Sequence, residues 1–556
     1  MDKIWLKQYP QGIAPEVDVA QYASLPEILA RSCERFGARP AYHNMGVSIT
    51  YGELDRRSRE FGAFLQKALG LTKGERLAIM LPNLLQYPVA LFGALRAGLA
   101  VVNVNPMYTA RELEHQLRDS GASAIVVLEN FAHTLQQVLA ETRIKTVITT
   151  QVGDLFPAPK AFVTNLVVKY VKKMVPSWRI PNAIAFSAAL RAGQAQALDD
   201  VPLTRDDMAF LQYTGGTTGV AKGAILTHGN LVANVQQMHS WVGKNLREGE
   251  EVTVLPLPLY HVYALTVNLV FMKLGAHIIL ITNPRDIPGL IEELKKHKFT
   301  AFIGVNTLYN ALLNAPRFAE VHTGALKMAS AGGMAVQRAV AQKWKELTGI
   351  PIIEGYGLTE TSPFAICNAT DIKDWTGAIG VPMPSTEAAV LDEQGNELPL
   401  GEIGEICIRG PQVMKGYWNR PDETAKVFTQ DGWLRTGDVG FVDAQGYFRI
   451  TDRKKDLIIV SGFKVFPNEI EDVVMMHPGV LEVAAVGAPD PKSGEVVRLV
   501  VVKKDPQLTE QALLEHCQKY LTAYKVPKIV EFRVGSLPKT NVGKILRRLL
   551  REPAAA

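Results

Sequence analysis

The 556-residue chain has only four cysteines, Cys33, Cys367, Cys407 and Cys517, far apart and in no CxxC pair. That excludes a disulfide framework and a cysteine-based structural zinc site. Sparse, unpaired cysteine fits a reducing cytosol. Long apolar runs are also missing. The opening MDKIWLKQYPQGIAPEV lacks the continuous apolar stretch of a secretory signal. The most membrane-like segment, 264–282, carries Lys273 and His277 and is split by Gly275. A membrane span needs about 18 uninterrupted apolar residues, so this segment reads as a buried helix followed by a buried strand. Charge of one sign is nearly absent: 60 Lys+Arg stand against 55 Asp+Glu, and +5 is too little to argue for nucleic acid. No internal repeat occurs, and no low-complexity tract beyond the PAAA tail.

What is there is the composition of a globular protein, 47% apolar and 21% charged. Single cores rarely exceed roughly 250–300 residues, so this length asks for at least two domains. Short β-branched runs (76–81, 124–128, 146–150, 277–281) alternate with amphipathic segments such as 56–69 and 110–119. That alternation predicts an α/β fold: a large N-terminal body of mostly parallel, covered sheets. From about Ser385 the strands become short and Gly-punctuated, with DEQG and DAQG turns, which predicts a β-rich subdomain of antiparallel hairpins over 385–452. A charged cluster, Asp452 to Asp456, separates it from a compact region that ends in an expected basic helix over 545–552. The expected division is therefore 1–452 and a small α+β domain, 453–556. The small domain holds 17 basic and 12 acidic residues, which accounts for the whole formal excess.

Residues 213–224 read YTGGTTGVAKGA. Thr214, Gly215, Gly216, Thr217, Thr218 and Gly219 bring backbone N–H groups and hydroxyls together, and Lys222 adds a cation, a combination suited to a polyphosphate. This is not a Walker A loop, because Lys222 precedes Gly223 rather than Ser or Thr. The flanks MAFLQY and AILTH both look like strands, so the loop is expected to cross a hairpin.

Four further segments follow in order: GYGLTETSP (355–363), GWLRTGDVG (432–440), DRKKDLIIVSGFKVFPNEIE (452–471) and PKTNVGKILRR (538–548). With the loop, they resemble the adenylate-forming superfamily of acyl-CoA synthetases, luciferases and peptide-synthetase adenylation domains. LPLYHVYALT, NPRDIP and TNVGKILRR look most similar to bacterial long-chain fatty acid–CoA ligases. The resemblance implies ATP-dependent activation of a fatty acid through an acyl-adenylate, then thioester formation with coenzyme A, with release of AMP and pyrophosphate. It implies Mg²⁺ as cofactor and fatty acid, ATP and coenzyme A as partners.

Residue by residue, the resemblance implies that Gly355, Tyr356 and Gly357 hold the adenine, with Tyr356 presenting an exposed ring. It implies that Thr359 bonds a phosphate and that Glu360 holds Mg²⁺, a hard cation that prefers oxygen ligands. Asp438 matches the ribose-binding carboxylate and Arg453 a second ribose or phosphate contact. Gly332 and Gly333 match the loop along the adenine and the acyl group, and 305–313 and 329–334 are expected to line the acyl pocket. His261 matches a residue that borders the carboxylate and later the thiol, a positioning group and only weakly a base. Lys544 matches the catalytic lysine, a point cation between carboxylate and α-phosphate. Lys455 matches the hinge about which the small domain would turn, bringing Ser461, Gly462 and Phe463 to the coenzyme A channel.

Segment 161–179, AFVTNLVVKYVKKMVPSWR, places Phe162, Leu166, Val167, Tyr170 and Met174 at helical spacing beside Lys169, Lys172, Lys173 and Arg179. A basic amphipathic helix of this kind suits an anionic membrane face. The expected location is therefore cytoplasmic, with peripheral contact at the inner membrane face. The sequence leaves open a homodimer, an aryl or medium-chain substrate, a carrier-protein acceptor, and a non-catalytic membrane-associated binding protein.

Overall fold

The computed structural model describes residues 3–214, 221–453, 455–540 and 543–551. These residues form four sheets. In the eight-stranded sheet, Met208–Thr214, Ala100–Asn103, Arg76–Met80, Ala124–Leu128, Thr146–Thr150 and Ile184–Ala185 lie side by side and parallel. In the nine-stranded sheet, Ile352–Gly357, Met328–Gly332, Ala301–Gly304, Val252–Leu255, His277–Leu280 and Pro40–Asn44 do the same. Antiparallel strands close both edges of the nine-stranded sheet and one edge of the eight-stranded sheet. The central strands are buried on both faces, as Ala124–Leu128 is at every position, so they read as continuous apolar runs. Helices start where the sequence offers a reciprocal cap: Thr50 with Glu53 opens Tyr51–Ala63, and Thr109 with Glu112 opens Ala110–Ser120. The 264–282 segment is a buried helix, Val262–Lys273, then a strand, His277–Leu280. No helix among the described residues is long and apolar enough to cross a membrane.

A four-stranded antiparallel sheet follows, Glu387–Leu391, Gly404–Arg409, Leu434–Val442 and Phe448–Arg453. One part of the expected hairpin region leaves it. Strand Gly416–Tyr417 pairs instead with Lys222–Thr227 in the eight-stranded sheet. After Arg453 the chain enters a five-stranded sheet with its own apolar core, including Ile458, Val465, Ile470, Leu499, Leu513 and Cys517. The expected helix over 545–552 is shorter than its sequence indicated. Ile545 bridges to Lys539 as extended backbone, and among the described residues of this stretch only Arg548–Arg551 is helical.

Candidate active site

The parallel strands of both large sheets end at one cleft of about 2330 Å³, lined by Asn103, Thr214, Val305, Gly332 and Gly357 among others. Crevices at the carboxyl ends of parallel strands are where open α/β sheets bind ligands. The phosphate-loop flanks are a hairpin, with Thr214 opposite Lys222. Gly215, Gly216, Thr217, Thr218 and Gly219 lie outside the described residues. Thr214, Lys222, His261, Gly332, Gly333, Gly355, Tyr356, Gly357, Thr359, Glu360, Asp438, Arg453, Lys455 and Lys544 all line the cleft.

Tyr356 is 9% exposed, which corrects the expectation of an exposed ring. Its hydroxyl donates to Asp438 Oδ2 at 2.7 Å. Burial first, then the Asp438 carboxylate, pushes the phenol well above its ordinary value, so it stays a donor. Arg453 Nε holds the other Asp438 oxygen at 3.1 Å, and the two residues face each other across adjacent strands. A carboxylate has about four acceptor positions, so Asp438 keeps capacity for a diol.

Two partners of the site lie outside every motif read from the sequence. Tyr417 donates to Glu360 Oε1 at 2.6 Å, and the Lys222 ammonium lies 4.6 Å from the Tyr417 ring centre. Glu423, from the helix Pro421–Val427, binds Lys222 Nζ at 2.9 Å. Both come from the stretch that leaves the four-stranded sheet, so the string KGYWNRPDET was their only available marker. Glu360 projects into the cleft with one oxygen bonded to Tyr417. A single accessible carboxylate, with phosphate oxygens and waters completing the shell, fits Mg²⁺.

His261 caps the helix Val262–Lys273, and its Nδ1 accepts from the Tyr263 N–H at 3.3 Å. Burial first, then Lys544, lowers the imidazole to about 4, so the ring is neutral near pH 7. With Nδ1 acting as acceptor, the proton sits on Nε2. The residue offers the cleft a donor, not a base. Lys544 is pushed down to about 7, by burial first and then by Arg453. Its strip is seated on the large body: Thr307 Oγ1 donates to the Gly543 carbonyl at 3.2 Å, and Asn310 Nδ2 to the Leu481 carbonyl at 3.2 Å. Val305, Thr307, Gly332 and Met334, from the two segments expected at the acyl pocket, also line the cleft. Glu354, buried at the same wall, is raised by that burial to about 8.

Lys455 lies between the last strand of the four-stranded sheet and Ile458–Val460, and its carbonyl accepts from Arg551 Nη2 at 3.0 Å. Ser461, Gly462 and Phe463 are not brought to the cleft. They form the tip of the hairpin Ile458–Val465, where Phe463 is 57% exposed and stacks on Tyr524.

With this geometry in hand, comparison with known proteins decides the family. The AMP-binding enzyme family matches residues 29–418, and the AMP-binding enzyme C-terminal domain matches 469–544. This chain belongs to the AMP-binding enzyme family. Within it, the chain is 55% identical over 555 residues to a long-chain-fatty-acid–CoA ligase of Escherichia coli O6:H1, covering 100% of this chain and 99% of that one. Its fold matches the anthranilate CoA ligase AuaEII in complex with anthranoyl-AMP (TM-score 0.84, 25% identity, 96% and 98% of the two chains). It also matches MatB from Rhodopseudomonas palustris at 30% identity, over 95% of this chain and 98% of that one. The TM-score is 0.80 for the ATP-bound form and 0.71 for the apo form.

Proposed function

We propose that the chain is a long-chain fatty acid–CoA ligase that works in two half-reactions. In the first, a fatty acid carboxylate attacks the α-phosphate of ATP, and the bond to pyrophosphate breaks. In the second, the coenzyme A thiol, losing its proton, attacks the acyl carbonyl and AMP leaves. The observation that carries this reading is the convergence on one cleft of Lys222, Tyr356, Thr359, Glu360, Asp438, Arg453 and Lys544. The end-to-end likeness to the Escherichia coli ligase supports the substrate class.

In this reading Tyr356 and Asp438 orient the nucleoside, and Lys222 faces the leaving phosphates after exchanging Glu423 for them. Lys544 stabilises charge as it moves from carboxylate to phosphate. His261 donates Nε2–H to the acyl oxygen. Glu360 would hold Mg²⁺, which when bound neutralises phosphate charge. The chain divides near Arg453, and 453–556 turns about Lys455 between the half-reactions, exchanging Lys544 for Ser461–Gly462–Phe463. The better match to ATP-bound than to apo MatB supports placing the present arrangement at the first step.

The reading includes contact with an anionic membrane face. Phe162, Leu166 and Tyr170 lie one helical turn apart and are exposed, Phe162 at 69% and Tyr170 at 68%. They lie on Ala158–Leu166 and the wider turn Val167–Val171, with exposed Lys172 and Lys173 beyond. Val167 is half-buried and Met174 lies past the helix, while Val163 and Val171, which the spacing did not single out, are exposed beside Phe162 and Tyr170. Each lysine near such a surface is worth about 1 kcal/mol. Removing Lys172 and Lys173 together is therefore expected to lower partitioning onto phosphatidylglycerol vesicles roughly thirtyfold. Equal sedimentation of both proteins would end this part of the proposal.

The function itself is tested by AMP release with ATP and coenzyme A across saturated acids of increasing length, with an aryl acid alongside. Release that rises with chain length is expected. No release with any fatty acid, or a faster aryl acid, overturns the assignment.

A further inference from the structure

Away from the cleft, His43, Glu293 and His297 come together from distant parts of the sequence. His43 lies on the strand Pro40–Asn44, Glu293 in the last turn of the helix Ile287–Leu294, and His297 just after it. None of them lines the cleft. His43 Nε2 stands 3.2 Å from Glu293 Oε1, and His297 Nε2 stands 3.0 Å from the same oxygen. One donor atom from each of the three lies within 4.8 Å of the others.

We propose that His43, Glu293 and His297 form a binding site for a divalent transition metal, zinc by its donor set. Two imidazoles and one carboxylate, with water in a fourth position, make a recurrent zinc environment. Zinc bonds of about 2.0–2.1 Å put tetrahedral ligand atoms roughly 3.3 Å apart. The two histidine-to-Glu293 distances are close to that, and within a set spanning up to 4.8 Å the metal would draw the two imidazoles toward each other.

The surroundings fit as well. His43 Nδ1 bonds Ser48 Oγ at 2.9 Å, and His277 Nε2 reaches the same hydroxyl at 3.5 Å. Metal-binding histidines are oriented in this way through the ring nitrogen that does not ligate. With Nδ1 as donor, Nε2 carries the lone pair; the Gly46 N–H donates into it at 3.2 Å, a hydrogen bond that a metal would displace. Lys296 holds the other carboxylate oxygen, Oε2, at 2.8 Å and leaves Oε1 to the histidines. The metal would tie the strand next to one edge of the nine-stranded sheet to a helix whose other end, at Ile287, Pro288 and Ile291, lines the cleft.

The test uses the full chain without an affinity tag or nucleotide, stripped by a chelator, reloaded with Zn²⁺ and desalted. Elemental analysis is expected to find about one zinc per chain. Glu293→Gln and His297→Ala are each expected to weaken Zn²⁺ binding by at least roughly tenfold to a hundredfold. Co²⁺ in place of Zn²⁺ is expected to give the strong visible bands of a four-coordinate site, and these should vanish in the same variants. Circular dichroism verifies folding, and Glu293→Gln is close to isosteric should His297→Ala fail to fold. Zinc far below one per chain, or affinity unchanged in both variants, overturns the proposal.

Discussion

Two stretches of the C-terminal unit meet opposite surroundings. Lys544 stands in the cleft, its strip seated on the large body through Gly543 and Thr307. The hairpin tip at Ser461–Gly462–Phe463 is not part of that cleft's lining, and its aromatic ring stacks on Tyr524 of its own unit. Both stretches belong to one sheet-and-helix unit: the hairpin packs in the core on one face of its sheet, and the lysine strip, through Leu537 and Ile545, in a smaller cluster on the other. Turning as one body, as proposed above, such a unit would present one stretch to the cleft at a time. The contrast is the structural reason for proposing two poses rather than one static site.

The largest effect expected is from Lys544→Ala. Acyl-adenylate formation, read as fatty-acid-dependent pyrophosphate release, should fall roughly 10²–10³-fold. Thioester formation from supplied acyl-adenylate should stay within about twofold. Equal losses in both assays would break the contrast. Lys455→Pro comes next, because proline fixes φ near −65° and removes a rotation. One half-reaction should slow at least about tenfold while the other survives. Unchanged rates in both would remove Lys455 as the hinge. Phe463→Ala should raise the coenzyme A KM several-fold, on the order of 1 kcal/mol of lost contact, and leave adenylation untouched. A slowed adenylation step would place the hairpin in the wrong half of the cycle.

The smallest signal is a proton. Free Lys544, lowered to about 7, is mostly neutral at pH 8. A bound polyanion favours the ammonium, so ATP binding at pH 8 should take up a proton, approaching one per chain. Calorimetry in buffers of different ionisation enthalpy measures this uptake, and Lys544→Ala should abolish it. Proton release on binding by the unaltered chain would contradict the assignment.

Local chemistry was legible in the sequence, and contacts made across the fold were not. Thr214 and Lys222 read as flanks of a hairpin because both strands are contiguous runs, and they are paired as expected. The alternation of runs and amphipathic segments indicated the two parallel sheets. Tyr417 and Glu423 were invisible because they reach Glu360 and Lys222 through a two-residue strand that changes sheets. The terminal helix was over-extended because ILRRLLRE has helical spacing, whereas Ile545 is held extended by its bridge to Lys539. Tyr356 looked exposed between glycines, and only the fold reveals Asp438 drawing its hydroxyl inward. His43 and Glu293 lie 250 positions apart, beyond any local pattern.

Gly543 sits at φ +85°, and a Cβ there would come within 2.6 Å of Thr307 Oγ1. Thr307 belongs to the large body, so the collision exists only while the lysine strip is docked. A methyl group at this position would act as a thermodynamic bias. It would oppose the docked arrangement twice, through the contact with Thr307 and through strain in the turn that carries Lys544. The absence of a side chain at residue 543 would then set what fraction of its time the enzyme spends poised for each half of its cycle.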